Sequence, residues 1–186
     1  MDEPEEFWEP HYARMTRKFG SVEAFERVKA AHRLMPRAVE VGLDADGWSD
    51  DNLDRRRQSS TLRAHRLIMW LDATVGWERA EAAYAHMNKA HFVDQGLLND
   101  TSLLVGAAAA AGVDEKAATD FIGSAELEPA VRRLLNDVHA LGVHSIPTLF
   151  VGGRLALSGA AGSDEVLRVL REAAASADGP GRRFKP

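Results

Sequence analysis

Apolar residues recur every three to four positions along most of this chain, the spacing that puts them on one face of an α-helix. Tyr12, Met15 and Phe19 mark a short helix that runs to Gly20, with Pro10 in its first turn and Trp8 beside it. Ser21 reads as the cap of a second helix carrying Phe25, Val28, His32, Met35 and Val39 as far as Gly42, kinked or split at Pro36. Ser59-Ser60-Thr61 caps a helix whose face is Ala64, Leu67, Ile68 and Leu71 and which Gly76 ends; Trp77, Ala80, Tyr84, Met87 and His91 make the next face, closed by Gly96. Asp100 and Asp114 cap two shorter helices, one carrying Leu103, Leu104, Ala107, Ala108 and Ala111 up to Gly112, the other Ala118, Phe121 and Ile122 up to Gly123. A longer helix opens at Ser124, holds Pro129 in its first turn, and carries Leu127, Val131, Leu134, Leu135, Val138 and Leu141 before Gly142. Ser163 caps the last one, with Val166, Val169, Leu170 and Ala173 on its face.

The period changes once. From Thr148 to Ser158 two short apolar stretches flank Gly152-Gly153, and a two-residue hairpin loop needs the positive φ that glycine adopts without a steric penalty. Pro147 stands at the start of the first strand, where a missing backbone N–H costs no ladder bond. The pattern therefore predicts a mostly helical chain of about seven to nine helices with a single hairpin and no internal repeat.

Composition narrows the function classes. The chain has 186 residues, 45% hydrophobic and 27% charged, enough for one domain with a full core. A net charge of −5 offers no broad basic footprint for a phosphate backbone, so nucleic acid is not an expected partner. No apolar run approaches the ~20 residues that span a bilayer, and the acidic start Met1-Asp2-Glu3-Pro4-Glu5-Glu6 is unlike a secretory signal; no membrane association and a cytoplasmic location are expected. The acidic stretch Asp44 to Asp54 invites a calcium reading, but Gly47 falls too early for an EF-hand loop and Arg55 stands where its final glutamate belongs. His86 and His91 are five apart, which separates them around a helix, so no metal site is expected there. There is no cysteine, and with it no disulfide, no thiolate ligand and no protein thiol nucleophile.

Two segments resemble one known family. His144-Ser145-Ile146-Pro147, the apolar strand, the glycine turn and Ser158-Gly159-Ala160-Ala161 are similar to the cis-proline loop and following hairpin of the DsbA-like branch of the thioredoxin fold. Ser60-Thr61-Leu62-Arg63-Ala64-His65-Arg66-Leu67 resembles the signature that members carry in their helical insertion. That branch includes FrnE-like thiol oxidoreductases and glutathione-dependent 2-hydroxychromene-2-carboxylate isomerases. The resemblance runs from about Phe19 to about Ala173 and implies an α/β, predominantly helical class: an incomplete thioredoxin-like fold with a large helical insertion and one β-hairpin. It implies a single domain over residues 1–177, the insertion at about 20–142, the hairpin and last helix at 143–177, and a disordered tail at 178–186. In the family a first strand and a helix bearing Cys-x-x-Cys, or a serine in the isomerases, come first. Nothing in residues 1–18 reads as those elements, so they are expected to be missing, either from the protein or from an incomplete chain whose true start lies upstream of Met1.

The resemblance implies a family of oxidoreductases and isomerases, and the absent cysteines set this chain apart from the former. A redox-inactive domain that binds a peptide or small thiol ligand at the cis-proline loop is the leading expectation; a glutathione-dependent isomerase or transferase is the alternative, against which Ala161 replaces the usual polar residue and no catalytic serine is matched. Ser145, Ile146, Pro147 and Gly159 are the expected ligand-binding residues, with the Ile146–Pro147 bond expected to be cis. His65 joins them as a ligand-side candidate whose more ordinary reading is a packed structural histidine. No catalytic residue, no metal and no resident cofactor is expected, glutathione being the one cofactor the alternative needs. The hairpin would leave an unpaired edge for helices or another chain to cover, which leaves a homodimer open.

Overall fold

A computed structural model describes residues 7–33, 55–159 and 161–176. The second helix beyond Arg33, the acidic stretch at 44–54 and the tail at 178–186 lie outside them. Among the described residues eight helices and two small antiparallel sheets follow in chain order: β1 (Trp8–Pro10), α1 (His11–Phe19), α2 (Val22–Arg33), β2 (Arg57–Ser59), α3 (Leu62–Val75), α4 (Trp77–Phe92), α5 (Thr101–Ala110), α6 (Glu115–Gly123), α7 (Glu128–Ala140), β3 (Thr148–Val151), β4 (Arg154–Ser158) and α8 (Ser163–Ser176). They fall into two compact units, residues 1–131 and 132–186.

Small side chains build the first unit. Its core joins Leu67 and Leu71 of α3, Met87 of α4, Leu104 of α5 and Phe121 and Ile122 of α6 through Ala64, Ala80, Ala83, Ala107, Ala108, Ala111 and Ala118. Alanine loses no side-chain entropy in a helix and lets neighbouring backbones approach closely. Three of the caps form as the sequence predicts: the Asp100 carboxylate accepts from the Leu103 N–H at 2.9 Å and Asp114 from those of Lys116 and Ala117 at 3.0 and 3.1 Å. Ser21 Oγ accepts from the Ala24 N–H at 3.1 Å.

Three details depart from the sequence reading. Trp77 and Tyr84 are 57% and 48% exposed, and the buried stripe of α4 runs instead through Ala80, Ala83, Met87 and His91, because the contact with α5 is made by small residues. Ser60, rather than Thr61, offers its hydroxyl to the start of α3, while Ser59 belongs to β2 and accepts from the Leu98 N–H at 2.9 Å. A second sheet is present: Trp8, Glu9 and Pro10 pair with Ser59, Gln58 and Arg57, with the Arg57 guanidinium over the Trp8 ring. Neither strand alternates apolar and polar residues, so periodicity could not find them.

Arg66 is the largest buried side chain of this unit at 1% exposure. Its guanidinium lies over the Phe121 ring, donates to the Glu126 carbonyl at 2.8 Å and also donates to the Ser124 carbonyl. Trp70, one turn further along α3, stacks on Phe121 as well, 4.5 Å between centroids. These bonds receive the chain as it leaves α6. They also replace the longer helix read from Ser124: residues 124–127 form a turn with Leu127 at φ 62°, and α7 begins at Glu128.

In the second unit β3 and β4 form the hairpin, joined by Gly152 and Gly153 at φ 57° and 77°, both in the left-handed region a two-residue turn of this type requires. The register slips between Leu149 and Phe150, where Ala156 is the extra residue of a bulge. Leu134 and Val138 on α7 and Leu141 just after it are exposed, so of the face read for this helix only Val131 is fully buried. At α8 the chain enters the helix at Gly162, whose carbonyl accepts from the Val166 N–H, so Ser163 is the first helical residue instead of the cap.

Replacing Arg66 with Ala leaves two carbonyls without their charged donor and opens a cavity beside Phe121. We expect Arg66→Ala to cost about 2–5 kcal/mol in urea unfolding, and Arg66→Lys to recover only part of it, because an ammonium cannot reproduce the planar fork. An Arg66→Ala protein within about 0.5 kcal/mol of the parent would remove this side chain from the stabilising set.

Candidate functional site

Ser145, Ile146, Pro147 and Gly159 come together in the second unit. The chain turns after α7 through Gly142, at φ 85°, whose N–H donates to the His139 carbonyl at 2.9 Å, and Val143 N–H donates to the Val138 carbonyl at 3.3 Å. This closure saturates the last carbonyls of the helix and sends the chain back across its end. The loop is then tied to β4. Gly159 N–H donates to the Pro147 carbonyl at 2.8 Å, and the Ser145 and Ser158 hydroxyls are 2.8 Å apart. Thr148 Oγ1 donates back to the Ser145 carbonyl. The Ile146–Pro147 peptide bond is cis.

Ile146 stands out of this frame. It is 88% exposed, and among the described residues its N–H and C=O form no hydrogen bond, although both residues flanking it are held. β4 is the one strand that pairs with β3 among the described residues. An apolar side chain and an open backbone thus meet at the entrance to a strand edge.

A family description of the DSBA-like thioredoxin domain matches residues 26–171. The chain belongs to that family. No curated protein and no solved structure matches it significantly. The matched span of this DSBA-like domain contains both the Ala64-His65-Arg66-Leu67 segment and the loop at Pro147, and it contains no cysteine. No sulfur nucleophile is therefore available from any of these residues, and methionine does not cycle through disulfides.

His65 lies in the first unit, on α3. Its residue surface is exposed, while desolvation holds its imidazole below the ordinary value. The next residue in the same segment, Arg66, is the one that makes the buried contacts. His91, by contrast, is 5% exposed with Nδ1 3.0 Å from the Gly96 carbonyl. Burial pushes its pKa down, the Arg56 charge adds to this, and the Gly96 carbonyl opposes both. Among the described residues no group of three or more His, Asp or Glu side chains is arranged to hold a metal. No helix there is long and apolar enough to cross a membrane.

A histidine pair at the loop was not found from the sequence: His139 Nε2 and His144 Nδ1 are 3.0 Å apart, with rings 4.4 Å between centroids. The two are five apart in sequence, which on a continuous helix separates side chains. Only the reversal at Gly142 brings them together, and the glycine itself was the available signal.

The buried imidazole has a consequence for stability. A histidine with a depressed folded pKa is neutral in the native state, so the unfolded chain takes up its proton first as pH falls below about 6.5, and native stability declines from there through the lower folded value. We predict a fall in urea midpoint between pH 7 and pH 5, with a slope from this group of at most about 1.4 kcal/mol per pH unit. His91→Gln should flatten it; an unchanged slope in that variant would assign the effect elsewhere, the exposed His65 contributing less because solvent screens it.

Proposed function

We propose that this DSBA-like domain binds an extended peptide, or a small thiol peptide such as glutathione, at the Ile146–Pro147 loop and does no thiol–disulfide chemistry of its own. The observation that carries this reading is the open backbone of Ile146 beside the free edge of β3. A strand edge with unpaired N–H and C=O groups takes an added strand through main-chain hydrogen bonds, which recognise an extended chain largely without regard to its sequence. The exposed Ile146 side chain supplies apolar contact next to those groups. Ser145 and Gly159 serve by holding the backbone in place, since their own bonding is internal to the loop. The binding role needs no protein sulfur, and where the ligand is glutathione the thiol arrives with it.

The reading is tested by titrating the labelled domain with an unstructured apolar peptide and separately with reduced glutathione, following backbone amide resonances. Shifts that start at Ile146 and extend along β3 from Thr148 to Val151 are expected from whichever ligand binds. Shifts confined to other segments, or none with either ligand, would overturn the proposal. In parallel the chain should leave insulin disulfides unreduced in dithiothreitol beyond the protein-free rate, and turnover above that rate would contradict its redox-inactive character.

A further inference from the structure

We infer that His139 and His144 form a two-imidazole site for a divalent transition-metal ion of the copper(II) class. Imidazole nitrogens bind such ions at about 2.0–2.1 Å, so two of them on one ion stand about 2.9 Å apart at a right angle and about 3.4 Å apart at a tetrahedral angle. His139 Nε2 and His144 Nδ1 are 3.0 Å apart, which fits neighbouring corners of a square-planar or tetragonal centre. Two imidazole ligands with the remaining positions open favour copper(II) because, among the divalent first-row ions, it binds nitrogen donors most tightly.

The spacing is set by the backbone. His139 sits in the last turn of α7, and the bonds from Gly142 N–H to the His139 carbonyl and from Val143 N–H to the Val138 carbonyl fix the reversal that returns residue 144 over it. On the far side Ser145 is anchored through its carbonyl to Thr148 and through its hydroxyl to Ser158. Two imidazoles on independently fixed backbones are thus preorganised as a chelate, and both residues are exposed, so an ion reaches them without any opening of the fold. Their present contact already requires one ring to offer a lone pair to the other. On binding, the donor ring moves its proton to its second nitrogen or to solvent, and modest ring rotations turn both lone pairs toward the ion. Two protein ligands leave the remaining positions to water or to an added anionic group. The site stands one residue before Ser145, at the entrance to the loop, but it does not depend on any ligand binding there.

Titration of the intact chain with copper(II) in a non-coordinating buffer near neutral pH, read by electron paramagnetic resonance and by paramagnetic broadening of the histidine ring signals, tests the assignment. One ion should bind, broadening His139 and His144 first, with nitrogen hyperfine structure from two imidazoles. His139→Ala and His144→Ala should each weaken binding by at least about tenfold, while His86→Ala leaves it unchanged. His139→Gln, which keeps a polar side chain on the helix, should fail in the same way while preserving the circular dichroism of the parent. Binding of equal strength in the double variant, broadening that begins at His11, His65 or the chain terminus, or no saturable binding of copper(II) would each overturn the inference.

Discussion

The buried guanidinium of Arg66 is the constraint on which the first unit turns. An alanine-rich core brings α3, α4, α5 and α6 close together, but alanines bury little area each and do not by themselves fix where the chain goes after the last helix. Arg66 does. Its bonds to the Ser124 and Glu126 carbonyls hold the segment between α6 and α7, and its stack on Phe121 ties that segment to the core through Trp70. A charged group can be this deeply buried only because its donors meet carbonyl oxygens and its flat face meets an aromatic ring. This supplies a physical reason for an arginine in the Ala-His-Arg-Leu segment, and it is a structural reason. The histidine beside it attracts a functional reading on chemical grounds, yet the arginine does the organising.

The second unit is built on different terms. None of its described residues is fully buried, and its order comes from local closures: the reversal at Gly142, the tie from Gly159 to Pro147, the hydroxyl pair of Ser145 and Ser158, and the glycine turn of the hairpin. Two strands alone bury too little to stand independently in water, and here they share their unit with α8 and the part of α7 from Arg132 onward. The apolar residues left exposed, among them Ile146, Phe150, Leu155 and Leu170, follow from that small sheet.

What could be read from the sequence divides along the same line. Helices whose starts are marked by Asp100 and Asp114 and whose faces repeat every three to four residues were legible because cap and period are local signals. So was the hairpin, because Gly152-Gly153 fixes its turn. On α4 the large residues Trp77 and Tyr84 share the helical period but are exposed, while Ala80 and Ala83 are buried; on α7 the exposed Leu134 and Val138 share the period of Val131, which alone of that helix is fully buried. The β1 and β2 pairing joins positions about fifty residues apart without a periodic pattern, and the His139 and His144 contact depends on a chain reversal, so neither could be derived from spacing. The structure brings the loop residues Ser145, Ile146, Pro147 and Gly159 together, but their division of labour is not visible in the sequence: three are bonded into the frame, and Ile146 has no such bond and is 88% exposed.

That division bears on what a thioredoxin-like domain can do without sulfur. In a thiol enzyme of this family type, a nucleophile and a surface that positions the substrate chain are separate components, and only the first requires cysteine. Loss of the nucleophile removes bond exchange altogether, since no other side chain forms and releases a disulfide. Loss of the positioning surface is a separate event that would show as a loop folded back on itself, with its backbone groups paired internally. In this chain the loop's internal bonds stop short of Ile146 on both sides, leaving one residue's N–H, C=O and apolar side chain turned to solvent at a strand entrance. Retaining an exposed isoleucine and unpaired backbone in an otherwise closed loop gives folding no benefit. Under the proposed reading, the ligand that covers them recovers both the apolar burial and the main-chain hydrogen bonds.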